Sequence, residues 1–113
     1  MPEGVIGDQD NVAVSAITIA ELLAGAYLAQ GKRRSARQRF ASRVLDEIPV
    51  IPYDTAVASA HAGLLAEGRR SGRPRGAHDL IIAATARATG RTVITADATA
   101  FTGLTGVEAR PYR

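Results

Sequence analysis

The chain has 113 residues, a formal net charge of +3, a pI near 10.0, no cysteine and no tryptophan. That length holds one domain, and the absence of thiols excludes disulfides and thiolate metal sites and fits a reducing cytoplasm. An aromatic content of 4% argues against a base-stacking platform for RNA. No apolar run approaches the ~18–20 residues of a membrane span, and Met1-Pro2-Glu3-Gly4 lacks the layout of a secretion signal, so a cytoplasmic chain with no membrane partner is expected.

Residues 2–11 read as polar and turn-rich, with Gly4, Gly7, Asp8 and Asp10. Val12-Ala13-Val14-Ser15 reads as a short buried strand. The period then changes: Ile17, Ala20, Leu23, Ala24, Tyr27 and Leu28 make a helical stripe over residues 17–28, with Thr18-x-x-Glu21 as a capping-box pattern at its start. Gly25 falls inside that helix as a mark of close packing, and Gln30-Gly31-Lys32 breaks it. Residues 34–47 form a second, amphipathic helix with Phe40, Val44 and Leu45 facing in. Pro49-Val50-Ile51-Pro52 is an edge strand at most, fenced by prolines. Asp54 caps a third helix running to about Arg70 and carrying Val57, Ala60, Leu64 and Leu65.

A basic loop over residues 71–76 leads into the most apolar stretch, Gly76-Ala77-His78-Asp79-Leu80-Ile81-Ile82-Ala83-Ala84-Thr85-Ala86-Arg87-Ala88-Thr89-Gly90. It is apolar or small on nearly every face, which predicts a helix driven into the core with Asp79 in its first turn. Thr92-Val93-Ile94-Thr95 is a buried strand, residues 97–101 a turn, and Val107-Glu108-Ala109 a last weak strand. Helices alternating with short apolar strands predict a parallel-sheet α/β domain. The arginine-rich clusters, Lys32-Arg33-Arg34, Arg37-Gln38-Arg39 and residues 69–75, suit a phosphate backbone or an acidic peptide, and equally an ordinary solvated face.

Three carboxylates occupy equivalent places. Glu21 is in the first turn of a helix after a strand, Asp79 begins the buried helix, and Asp97 lies just past a strand end. In an open α/β sheet the ligand crevice lies outside the carboxyl ends of the strands, so the three are expected on one rim. Such a set suits Mg²⁺ or Mn²⁺, which prefer oxygen ligands and can clamp a phosphoryl displacement. Each acid also has a structural explanation: Glu21 in the Thr18 capping box, Asp79 as an N-cap, Asp97 as an Asx-turn acceptor. His78 reads as a base or ligand, or as a hydrogen-bonded surface residue, and His61 as structural. Ser15, Thr18 and Thr95 could hold metal-bound water or only satisfy backbone groups. No nucleophile-elbow, P-loop or dinucleotide motif occurs.

Val12-Ala13-Val14-Ser15-Ala16-Ile17-Thr18-Ile19-Ala20-Glu21-Leu22-Leu23-Ala24-Gly25 resembles the Glu-Leu-x-x-Gly block of PIN domains, and more narrowly of the VapC toxins of bacterial toxin–antitoxin pairs. Residues 73–86, with Asp79-Leu80-Ile81-Ile82-Ala83-Ala84, are similar to that family's Asp-x-x-Ile-Ala-Ala block, and residues 92–101 to its final acidic motif. The blocks stand in family order across nearly all of residues 11–110.

The resemblance implies a PIN-like three-layer α/β domain, a short parallel sheet flanked by helices. It also implies an Mg²⁺- or Mn²⁺-dependent ribonuclease that acts on RNA, dimerises with a second copy and is silenced by a cognate antitoxin. The family's acids carry over to Glu21, Asp79 and Asp97: Asp79 as direct metal ligand, Asp97 holding metal or its waters, Glu21 orienting metal-bound water.

Two departures stand out. The family's opening strand with its Asp-Thr or Asp-Ser motif has no counterpart, and Asp8 and Asp10 align with a linker. An amino-terminally truncated domain, its sheet left with unpaired neighbours where that strand would lie, is the expectation. Ala100 stands where many relatives carry another acid. The rival reading is a catalytically weak or inactive module that only binds an antitoxin or another partner.

Overall fold

The structure, a computed structural model, describes residues 5–7, 12–73 and 75–111; Asp8, Asp10 and Pro74 of the loops discussed above lie outside them. The elements in chain order are β1 (Val5–Gly7), β2 (Val12–Ser15), α1 (Ala16–Leu28), α2 (Gly31–Glu47), β3 (Val50–Ile51), α3 (Thr55–Ser71), α4 (Ala77–Thr89), β4 (Thr92–Ile94), a 3₁₀ turn (Ala98–Phe101) and β5 (Ala109–Arg110).

One five-stranded sheet runs in the order β3-β2-β1-β4-β5. β2 pairs with β3, and β4 with β5, in parallel as expected. At the centre the sheet departs from the parallel pairing expected. β1 lies antiparallel to both neighbours, with Val5 opposite Val14 and Ile94, and Gly7 opposite Val12 and Thr92. The vacant slot and its unpaired neighbours, expected from the missing family strand, are not found, because Val5–Gly7 fills the gap. Its direction follows from chain length. Only residues 8–11 separate β1 from β2, a hairpin-sized connection, whereas a parallel pair needs a crossover of about a dozen residues or more.

Successive residues of β2 face opposite ways. Ala13 joins Val57, Leu64, Leu80, Ala83, Val93 and Phe101 in the main core, while Val14 joins Ile19 and Val44 on the other side. The sheet is thus covered by α3 and α4 on one face and by α1 and α2 on the other, the three-layer arrangement expected. α4 is the interior helix its composition predicts, with Leu80 and residues 82–86 all buried. Gly90 at its end adopts φ 66°, a left-handed stop that favours glycine.

On α2 the expected inward face is corrected in part. Val44 and Ala41 are buried, but Phe40 and Leu45 are exposed. Leu65 of α3 is likewise exposed beside a fully buried Leu64. α2 also starts earlier than expected, at Gly31, and only Ala29 and Gln30 separate it from α1. Some arginines of the basic clusters have structural roles: Arg34 donates from Nε to Ala29 O (2.8 Å) and from Nη2 to Tyr27 O (2.9 Å), closing the end of α1.

Asp54 caps α3, its Oδ1 accepting from the Val57 amide at 3.0 Å. Asp54→Ala leaves that amide without its partner and is expected to cost about 1 kcal/mol. Calorimetry should show Tm lowered by roughly 4 °C for a chain of this size.

Candidate metal-binding rim

The carboxyl ends of β2 and β4 flank the Val5 end of β1 on one rim, and Ser15 and Thr95 follow there. Both are almost wholly buried, so their hydroxyls need partners inside the protein. Ser15 Oγ accepts from the Thr18 amide at 3.3 Å and lies 2.9 Å from Thr18 Oγ1. Thr95 Oγ1 accepts from the Asp97 amide at 3.1 Å. Of the two roles open to these hydroxyls, the structure displays backbone satisfaction.

Ser15 is thereby the N-cap of α1, with no loop between strand and helix. This corrects the Thr18–Glu21 capping box and the placement of Glu21 in the first turn: the helix begins at Ala16, and no acid lies in its first turn. Glu21 stands free of capping, one turn further on. Its Oε2 lies 3.2 Å from His78 Nδ1, and both side chains are exposed. His78 is the surface partner of an acid, one of its two readings.

Asp79 is in the first turn of α4, as expected, but does not cap it. The N-cap is Gly76, which has no side chain to offer. A Cβ at Gly76 would sit 3.3 Å from Asp79 Oδ2, so the glycine leaves room for that carboxylate at the helix start. Asp79 is half-buried. Burial first, then the charges of Glu21 and Asp97, push its carboxyl above the ordinary value, and His78 pulls it down. The three acids thus lie close enough for two of them to oppose ionisation of the third.

Asp97 opens the 3₁₀ turn. Its Oδ1 accepts from the Thr99 hydroxyl at 2.6 Å rather than from a backbone amide. The far end of that turn is held from outside: Arg75 donates from Nη1 to Ala100 O (3.0 Å) and from Nη2 to Thr102 O (2.6 Å). Arg75 was legible only as one charge of a basic loop. Nothing in the sequence links it to carbonyls 25 and 27 positions away.

The family model described as PIN domain matches residues 3–102. The VapC ribonuclease Y4jK of Sinorhizobium fredii is 40% identical over 96 residues, 81% of this chain and 69% of that protein. The tRNA(fMet)-specific endonuclease VapC of Shigella flexneri is 32% identical over 107 residues, 93% of this chain and 78% of that protein. The chain belongs to the PIN-domain VapC family of toxins. A solved structure of VapBC-5 from Mycobacterium tuberculosis, a member of the VapBC family of toxin–antitoxin systems, superposes with a TM-score of 0.79 at 32% identity, covering 88% of this chain and 80% of that one.

PIN-domain nucleases are typically metal-dependent, and the donor set of this VapC-family rim fits a hard divalent ion in kind. It offers carboxylate oxygens, and Asp79 ionises less readily because of its burial and then its acidic neighbours, a penalty that a cation relieves. Among the described residues, however, no three Asp, Glu or His side chains converge as a ligand cluster. Glu21 is turned toward His78, and Asp97 is engaged by Thr99. Among those residues, too, no helix is long and apolar enough to cross a membrane.

Proposed function

We propose that this chain is a metal-dependent endoribonuclease toxin acting at the Glu21–Asp79–Asp97 rim. Asp79 would be the direct ligand of Mg²⁺ or Mn²⁺, Asp97 would hold the ion or its waters, and Glu21 would orient the attacking water. A divalent ion bound there would acidify water and stabilise the charge that builds on the phosphate. The observation that supports the reading is the nearness of Glu21 and Asp97 to Asp79 at a strand-end rim, where burial first and then those two acids raise the Asp79 carboxyl.

One relative's name specifies tRNA(fMet), so tRNA is the first substrate to test. Purified chain with tRNA should release fragments with Mn²⁺ or Mg²⁺ present and none with EDTA. Fragmentation that persists in EDTA would sink the proposal, as would its absence from a folded, metal-saturated protein.

A cognate antitoxin, and a second copy of the chain, are the proposed partners, in the reducing cytoplasm where such a pair would meet. Support comes from α1 and α2: Tyr27 is 74% and Leu28 85% exposed, with Leu23, Phe40 and Leu45 also open to water. Exposed large apolar side chains on two adjoining helices suit an interaction face. The second reading, a module that binds but does not cleave, draws on the same face and on the lack of a converged ligand set among the described residues. It predicts antitoxin binding with no metal-dependent cleavage in the tRNA assay.

A further inference from the structure

We infer that Arg75 is a positioning residue that sets the Asp97 corner of the rim against Asp79. The inference rests on the ribonuclease reading above. Arg75 stands immediately before Gly76, the N-cap of the helix that presents Asp79. Its guanidinium reaches the carbonyls of Ala100 and Thr102, at the far end of the turn that Asp97 opens. One side chain thus joins the chain segment that carries one acid to the segment that carries the other.

Two backbone bonds of the turn, Ala100 N to Asp97 O (3.3 Å) and Thr102 N to Thr99 O (3.2 Å), are long. A 3₁₀ turn also leaves its last carbonyls without partners, and Arg75 takes two of them. Phe101 anchors the end of the turn in the core and the Thr95 hydroxyl holds the Asp97 amide, so the part left for Arg75 to fix is the backbone at Ala100 and Thr102.

The planar fork suits two acceptors at once, which a lysine ammonium serves less well. Because both terminal nitrogens are engaged by carbonyls, Arg75 is a poor candidate for direct contact with an RNA phosphate, despite lying in the basic loop. That distinction makes the role testable. A positioning residue acts on turnover, whereas a phosphate contact acts on substrate affinity and its salt dependence.

The experiment compares the parent chain, Arg75→Ala and Arg75→Lys in three measurements: amide hydrogen exchange without metal, Mn²⁺ titration, and tRNA cleavage kinetics. In Arg75→Ala, exchange should quicken at residues 99–102 while α3 and α4 stay protected. Mn²⁺ affinity and kcat should each fall about tenfold with KM unchanged, in keeping with the cost of slight misplacement at a site. Arg75→Lys should recover part of kcat. A raised KM with unchanged kcat would overturn the inference in favour of a phosphate contact, and Mn²⁺ affinity equal to the parent's would overturn it outright. A parent that takes no Mn²⁺ would instead remove the ribonuclease reading. The tie is then judged on exchange alone, and unchanged exchange at 99–102 in Arg75→Ala refutes it.

Discussion

Asp79→Asn is expected to lower metal-dependent RNA cleavage by at least ~100-fold, since even outer partners of a metal site are worth about 10–100-fold. The substitution keeps the size of the side chain and removes only its charge, so the helix start next to Gly76 is undisturbed. Stability should move the other way. The folded-state pKa of Asp79 is raised, by burial and by Glu21 and Asp97. A raised carboxyl contributes stability below its unfolded pKa and loses it as pH climbs through the folded value. At neutral pH, ionised Asp79 therefore works against folding. A negative charge in the first turn of a helix is favoured by about 0.3–1 kcal/mol, but the upward direction of the shift shows that the opposing influences prevail. Metal-free Asp79→Asn should melt no lower than the parent at pH 7, with the difference vanishing below the ordinary carboxylate range. Added Mn²⁺ should raise the Tm of the parent alone, because a ligand stabilises only the form that binds it. A variant that cleaves RNA at the parental rate would remove Asp79 from the site. A loss of activity accompanied by a large fall in Tm would assign it a structural role instead.

This pairing of lost function with retained or improved stability separates a site residue from a cap. Asp54 is the internal contrast. It too is an acid at a helix start, but its carboxylate accepts a backbone amide, so its removal should cost stability and leave metal response intact. The sequence alone offered both explanations for Asp79, and the difference lies in which residue is the N-cap. Gly76 holds that place for α4, and Ser15 holds it for α1. Once both helices start three residues before the expected cap, neither Asp79 nor Glu21 is needed to close a helix end.

The strongly patterned parts of the fold were legible: α4 from its apolar run, α3 from its Asp54 cap, β2 and β4 from their β-branched residues, and β3 as an edge strand from its flanking prolines. β1 was not. It offers only Val5 and Ile6 between glycines, too little to show an alternating period, and it is a strand because the sheet has a gap to fill rather than through its own propensity. Glu21 was misplaced for a different reason. Thr18-x-x-Glu21 and Ser15-x-x-Thr18 are both plausible starts, and the strand ending at Ser15 decides between them. Phe40 and Leu45 were expected to face in because hydropathy alone cannot separate a buried stripe from an exposed one. Nor could spacing show that Arg75, apparently one of several solvated charges, hydrogen-bonds a turn far along the chain.

Leu64→Ala carries the largest expected cost to the fold. Leu64 is fully buried on α3 and packs in the main core with Leu80, Ala83, Ala84 and Phe101. Truncating a buried leucine costs about 2–5 kcal/mol, more where the surroundings cannot close on the void. Here they are poorly able to close, because the opposing helix presents Ala83, Ala84 and Ala86, each at 0% exposure and with no flexible side chain to swing inward. The upper half of that range is expected, which for a chain of this length lowers Tm by roughly 12–20 °C. Leu65→Ala is the control: at 37% exposure its neighbour on the same helix should lose far less. Denaturant melts of the two variants decide the matter, and equal losses would show that α3 does not present Leu64 to α4. The same pair separates core from rim. Kept well below its lowered Tm, Leu64→Ala should retain the parental Mn²⁺ affinity, because the cavity lies beneath α4 while Glu21, Asp79 and Asp97 are held by the N-caps at Ser15 and Gly76 and by the Arg75 tie. A loss of metal binding in the still-folded variant would mean that the rim depends on how deeply α4 is seated rather than on how its first turn begins.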